Sequence, residues 1–228
     1  MAIGERRVLE LPARRKTPWV AGALLAACVG IFLAGGAGLL PAAEDGLPWG
    51  ALYGPAVSAG GWYRVLAHSL VHANALHIVL NMSVVWSLGF SLERLLGSGP
   101  FALASIATTL GAAALALAFS YDGSTVGASG MIVGWIGVLL PISNRQSRRS
   151  LIQWLIQIAV ISIVPNLIPG SPVRVSWQGH LGGFLAGLPC GYLLRDRARF
   201  LRLSPLVITL AAAAAWLGAL YGAATDVG

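Results

Sequence analysis

From Trp19 to Leu40 the chain carries no charged residue, and six further apolar runs follow before residue 226. A helix needs about 20 apolar residues to cross roughly 30 Å of hydrocarbon, so runs of this kind demand a bilayer or a very large core. The second option fails on composition. Only 10% of the 228 residues are charged, against about 25% in a soluble domain. Eight acids and fifteen bases cannot cover a soluble fold of this size. A soluble enzyme, a nucleic-acid-binding domain and a disordered chain are excluded. Cys28 and Cys190 both lie inside apolar runs and read as small packing residues, not as a disulfide framework or metal site. The predicted class is all-α: a polytopic transmembrane helical bundle.

Residues 1–18 form a basic tail with Arg6, Arg7, Arg14, Arg15 and Lys16. The run 19–40 exceeds the 7–15 residues of a signal-peptide core and reads as a retained span. Residues 42–70 make a loop rich in Trp and Tyr, residues that favour the headgroup layer. A second span is expected over 71–92, closed by a turn at Glu93-Arg94 and Gly97-Ser98-Gly99-Pro100. The third covers 101–119, and a polar stretch, 120–127, follows. The fourth helix, 128–140, stops at Pro141. Its 13 or so residues reach only about 20 Å. The loop before it must therefore dip into the membrane, where irregular backbone is tolerated only inside protein or beside a water-filled cavity. The fifth span is expected over 151–168 and the sixth over 177–194, with Pro165, Pro169 and Pro172 in the loop between them. The seventh covers 205–223.

Charge orients this bundle. With the N-terminus in the cytoplasm, thirteen of the fifteen bases fall on the cytoplasmic side, and only Arg64 and Arg174 fall opposite. That is the positive-inside pattern. The basic excess is a topology signal and not a nucleic-acid footprint.

Polar groups inside a membrane are costly and mark function. Those here are His68, His72, His77, Asn81, Ser129 and His180. All lie near the starts of the second, fourth and sixth helices, which run in one direction, so all share one depth toward the extracytoplasmic face. Ser129 sits at the N-terminus of the short helix, where backbone N–H groups lack intrahelical partners and the helix dipole favours negative charge. Small-residue packing alone also explains Gly127-Ala128-Ser129-Gly130. A serine nucleophile needs a base, and His180 is the only ionisable residue of the sixth span. Gly179, Gly183, Gly187 and Gly191 recur every four residues, opposite Gly130, Gly134 and Gly137. Two smooth helix faces of this kind allow close approach. His77 and Asn81, at i and i+4, share a face; they serve either as interhelical glue or as donors to an oxyanion. No acidic residue lies within the expected spans, so the unit is a Ser–His dyad whose imidazole is oriented by packing.

These residues together resemble the rhomboid family of intramembrane serine proteases. The matching pieces are Trp62-Tyr63-Arg64; His68, His72 and His77 through Asn81; Glu93-Arg94 with Gly97-Ser98-Gly99; Gly127-Ala128-Ser129-Gly130; and Gly179-His180-Leu181-Gly182-Gly183 on to Gly187. The likeness covers about residues 19–194, a six-span core. The region 195–228 would add a basic cytoplasmic loop, an extra seventh span and a short extracytoplasmic end. The resemblance implies Ser129 as nucleophile, His180 as base and acid, and His77, Asn81 and the Ser129 N–H as the oxyanion site. It implies structural roles for Arg64, His68, His72, Gly127, Gly130 and Gly183. Loop 165–176 would cap the site, and the second and fifth spans would flank substrate access. Members often carry an aromatic residue four positions after the nucleophile; here it is Val133.

The expected activity is endoproteolysis of transmembrane-helix protein substrates near the extracytoplasmic face, with no cofactor and no metal. Partners are the substrate helices and the lipid bilayer, with no nucleic acid. The alternative is a catalytically weak or inactive rhomboid-like protein that binds client transmembrane helices. A metal site built on the four histidines lacks the ligand motifs that chemistry needs. The compact loops and the absence of a transit-type leader point to a bacterial inner membrane.

Overall fold

The computed structural model describes residues 17–41, 46–171 and 174–226. The basic tail up to Lys16 lies outside the described residues, as does Pro172. The helices are α1 (Trp19–Gly36), the short α2 (Gly54–Ser58) and α3 (Arg64–Ala67), α4 (Ala75–Val84), α5 (Phe90–Leu96), α6 (Ser98–Phe119), α7 (Ser129–Ile142), α8 (Arg145–Leu167), α9 (Trp177–Leu193) and α10 (Arg197–Thr225). A π-helical turn, Val85–Gly89, joins α4 to α5 into one rod. Among the described residues, five helical rods are long and apolar enough to cross a membrane: 19–36, 75–96, 98–119, 145–167 and 197–225. The protein is a multi-pass helical bundle.

α6 is the hub. Of its most apolar window 72% is buried inside the protein, against 11% for α1 and α8. Its small residues let three helices crowd it: a Cβ at Gly182 of α9 or Gly218 of α10 would strike the α6 carbonyls of Gly111 or Ala114, and Thr108 fills the space at Gly134 of α7. Trp135 of α7 is fully buried against Phe101, with ring centroids 5.1 Å apart. Its Nε1–H donates to Ser105 Oγ at 3.0 Å, which satisfies the one polar atom of the ring. The short helices α7 and α9 are thus held at the centre by packing.

Helix boundaries depart from the hydropathy reading at several places, and Pro165 lies inside α8 and not in the loop after it. α8 starts six residues before the expected 151, so Arg145, Arg148 and Arg149 lie in its first turns, capped by Asn144, whose side chain accepts from Ser147 N–H at 2.9 Å. Likewise α10 begins at Arg197, ahead of Pro205, with Asp196 accepting from Arg199 N–H at 3.1 Å. α7 continues past Pro141 to Ile142. Capping side chains and not hydrophobicity set where a helix starts, so polar first turns are invisible to an apolar window.

The turn expected at Glu93-Arg94 is helix instead. Both residues lie in α5, and Glu93 is 1% exposed. Its carboxylate accepts the backbone N–H of Val20 at 3.0 Å and of Ala21 at 2.7 Å, plus the Ser98 hydroxyl at 2.6 Å. It therefore satisfies orphan donors at the N-terminus of α1, where the helix dipole also favours an anion. The turn itself is carried by Gly97 at φ +84°.

Candidate active site

Ser129 is the first residue of α7, and the first i→i−4 bond of that helix is Ile132 N–H to Ala128 carbonyl. The Ser129 N–H accordingly has no acceptor within its helix. The segment before it is stitched to the first loop. Leu52 and Thr125 exchange a pair of backbone bonds at 3.0 and 2.9 Å, and Gly127 N–H donates to the His68 carbonyl at 2.9 Å. Gly127 adopts φ +114°, and a Cβ there would sit 2.6 Å from the His77 ring. Only glycine allows both the left-handed backbone and this approach. Gly130 packs just as closely, its absent Cβ leaving room for Ala112.

His180 lies in the first turn of α9, which Ser176 caps by accepting from Gly179 N–H at 3.3 Å. The two glycine faces meet rung by rung. Cβ atoms at Gly183, Gly187 and Gly191 would collide with the carbonyls of Gly130, Gly134 and Val138. With backbones this close, His180 Nε2 stands 2.8 Å from Ser129 Oγ. Both residues are half-buried.

His77 lies half-buried between Gly127 and His72, whose ring centroid is 5.1 Å away at 67°. Asn81 is buried and uses one amide N–H on the His77 carbonyl at 2.9 Å. A primary amide carries two such donors. Arg64 is buried, and its guanidinium donates to the Ala51 carbonyl at 2.8 Å, which ties α3 to the first loop. His68 is 2% exposed, with Nδ1 3.2 Å from the Arg64 carbonyl. Burial pushes its pKa down to about 4, so the ring is neutral and Nδ1–H donates. His72 is buried, with neither ring nitrogen hydrogen-bonded. Val133 is buried, one helical turn beyond Ser129.

Two polar side chains that sequence reasoning missed stand beside this group. Ser162 Oγ of α8 is 2.6 Å from His180 Nδ1. Asn166, one turn on, donates to the Ser162 carbonyl at 2.8 Å and the Val175 carbonyl at 2.7 Å. Their i, i+4 spacing in residues 158–168 is the one trace of them in the sequence, and it does not point to His180. Among the described residues no group of three or more His, Cys, Asp or Glu is placed to hold a metal ion.

Residues 59–197, more than half of the chain, match the family described as Rhomboid domain. This chain belongs to the rhomboid family. Among its relatives, Rhomboid protease GluP of Bacillus subtilis (strain 168) is 30% identical over 145 residues, 63% of this chain and 28% of that protein. RHOMBOID-like protein 5 of Arabidopsis thaliana is 28% identical over 166 residues, 70% of this chain and 52% of that protein. Rhomboid-like protease 1 of Toxoplasma gondii is 29% identical over 163 residues, 68% of this chain and 55% of that protein. The chain thus spans between 28% and 55% of the length of these relatives. Rhomboid membership and the five apolar rods agree on a multi-pass membrane protein.

Proposed function

We propose that this rhomboid-family chain is an intramembrane serine endopeptidase that cleaves transmembrane helices near the extracytoplasmic face. The observation that carries the reading is the 2.8 Å separation of Ser129 Oγ and His180 Nε2, within the range of a nucleophile–base pair. In this reading Ser129 attacks the scissile carbonyl while His180 takes its proton. The N–H of Ser129, with His77 and Asn81, holds the oxyanion of the tetrahedral intermediate. His180 then protonates the leaving amine, and water, activated by the same imidazole, hydrolyses the acyl-enzyme. A helical amide is shielded by its own hydrogen bonds, so the substrate must unwind near the cut, which helix-breaking residues favour. No cofactor or metal takes part.

The unit that does this is residues 19–194, in a bacterial inner membrane with the N-terminus cytoplasmic. The separation of thirteen bases from two supports that orientation. Purified wild type and Ser129→Ala, reconstituted in liposomes with a single-span substrate, test the reading. Cleavage by the wild type alone is expected; equal cleavage by both overturns the assignment.

A further inference from the structure

α8 buries little of itself. Leu151 and Ser162 are the two buried residues among its 23. Most of its side chains face outward, so a buried serine at 162, which is 2% exposed, calls for a partner. Its partners decide the direction of every hydrogen bond around His180. Ser162 Oγ is 2.6 Å from the carbonyl oxygen of Ile158. A carbonyl has no proton to give, so the single hydroxyl proton of Ser162 occupies that bond. Toward His180 Nδ1, also 2.6 Å away, the oxygen has only lone pairs to offer. Nδ1 must then carry the proton. In a neutral imidazole the other nitrogen, Nε2, is left as acceptor, and Ser129 Oγ lies 2.8 Å from it.

We propose that Ser162 is a positioning residue that acts through His180, accepting its Nδ1–H and so holding the imidazole in the tautomer whose Nε2 lone pair faces Ser129. The inference rests on the reading of Ser129 as nucleophile and His180 as base. The bonds run one way: Ser129 O–H to Nε2, Nδ1–H to Ser162 Oγ, and Ser162 O–H to the Ile158 carbonyl. The reverse tautomer would present a proton to Ser129 in place of a lone pair, and proton abstraction would stop. When His180 gains the Ser129 proton, Nδ1–H still donates to Ser162 and the bond becomes charge-assisted. Ser162 neither gains nor loses a proton. It fills the orienting place that a carboxylate holds in a Ser-His-Asp triad, with a neutral group that costs less to bury among apolar side chains. Asn166 keeps the geometry in register: it clamps the Ser162 turn to Val175, next to Ser176, which caps the helix bearing His180.

The test uses the full chain in nanodiscs, labelled with 15N-histidine. The His180 resonances are assigned by their loss in His180→Gln, and a fluorophosphonate probe reports Ser129 reactivity without a protein substrate. In the wild type, His180 is expected mainly as the Nδ1–H tautomer. In Ser162→Ala the Nε2–H form should become substantial. The maximal labelling rate should fall about ten- to a hundredfold, below the ~10⁴ that a wrong tautomer costs a serine protease, with the half-saturating probe concentration unchanged within about twofold, as expected where only the reacting step suffers. Ser162→Thr keeps the hydroxyl and should restore both readouts; Ser162→Cys, a weaker acceptor of nearly the same shape, should fall between. An unchanged His180 tautomer in Ser162→Ala and Ser162→Cys overturns the proposal, whatever their rates. Ser129→Ala keeps the two failures apart: if it labels like the wild type, the dyad reading falls, while the 15N spectra still decide whether Ser162 sets the tautomer.

Discussion

Gly183 of α9 rests directly on the backbone carbonyl of Gly130 in α7, one residue beyond Ser129. That contact sets the distance between the two helices and with it the reach of His180. A methyl group at 183 would meet backbone on the far side, which cannot rotate away. Gly183→Ala is expected to lower stability by about 1–3 kcal/mol through overpacking. It should also cut the rate of fluorophosphonate labelling about a hundredfold, the loss typical of a roughly 1 Å misplacement. Thermal unfolding in detergent beside the labelling rate checks both. A variant that labels like the wild type would show that the helix contact does not position the pair.

Gly127 offers the complementary case, because its substitution bears on the loop and not on the bundle. Its φ of +114° and the His77 ring over it leave no place for a side chain. Gly127→Ala should cost about 1–3 kcal/mol of backbone strain and displace His77. Activity should fall more than thermal stability does, since the packing of α7 and α9 on α6 is untouched. Circular dichroism melts and cleavage assays on one preparation measure the two losses.

Glu93 makes a prediction about folding with no bearing on chemistry. Glu93→Ala leaves the N–H groups of Val20 and Ala21 and the Ser98 hydroxyl without their acceptor. Hydrogen bonds to a charged group are worth about 1.5–3 kcal/mol each, so a loss of at least that size is expected in an unfolding titration. Glu93→Gln keeps one acceptor oxygen and should lose less. Equal losses in the two variants would show that the charge at the start of α1 is what matters.

His68 sets a pH window. Its pKa falls from 6.5 to about 4 because burial penalises the charged ring. Between those values the unfolded chain binds more protons than the folded one, so stability rises with pH. The His68 contribution is complete above about pH 6.5 and is lost progressively as pH falls toward about 4. Melting temperatures across that range should decline on acidification, and His68→Gln, which cannot titrate, should decline less steeply. Parallel curves would assign the acid sensitivity to other groups.

Much of this molecule is written in its sequence. The scarcity of charge defines a membrane protein. The same scarcity isolates the few polar groups, and the four-residue glycine spacing in α9 announces a helix that another backbone touches. Those are local signals, because a lipid-facing run or a smooth helix face depends on neighbours along the chain. Glu93 and Ser162 were not legible in that way. Glu93 stands at the end of an apolar run, where a charged residue ordinarily faces water, and the partners that bury it lie 72 and 73 residues away. Ser162 looks like any serine bonded back to its own helix, as it is to Ile158. Only the placement of α8 beside α9 turns its oxygen toward His180. Sequence alone determined which groups the membrane would have to accommodate. The tertiary structure decided which of them share hydrogen bonds, because a hydrogen bond depends on tenths of an ångström between helices that the sequence does not place side by side.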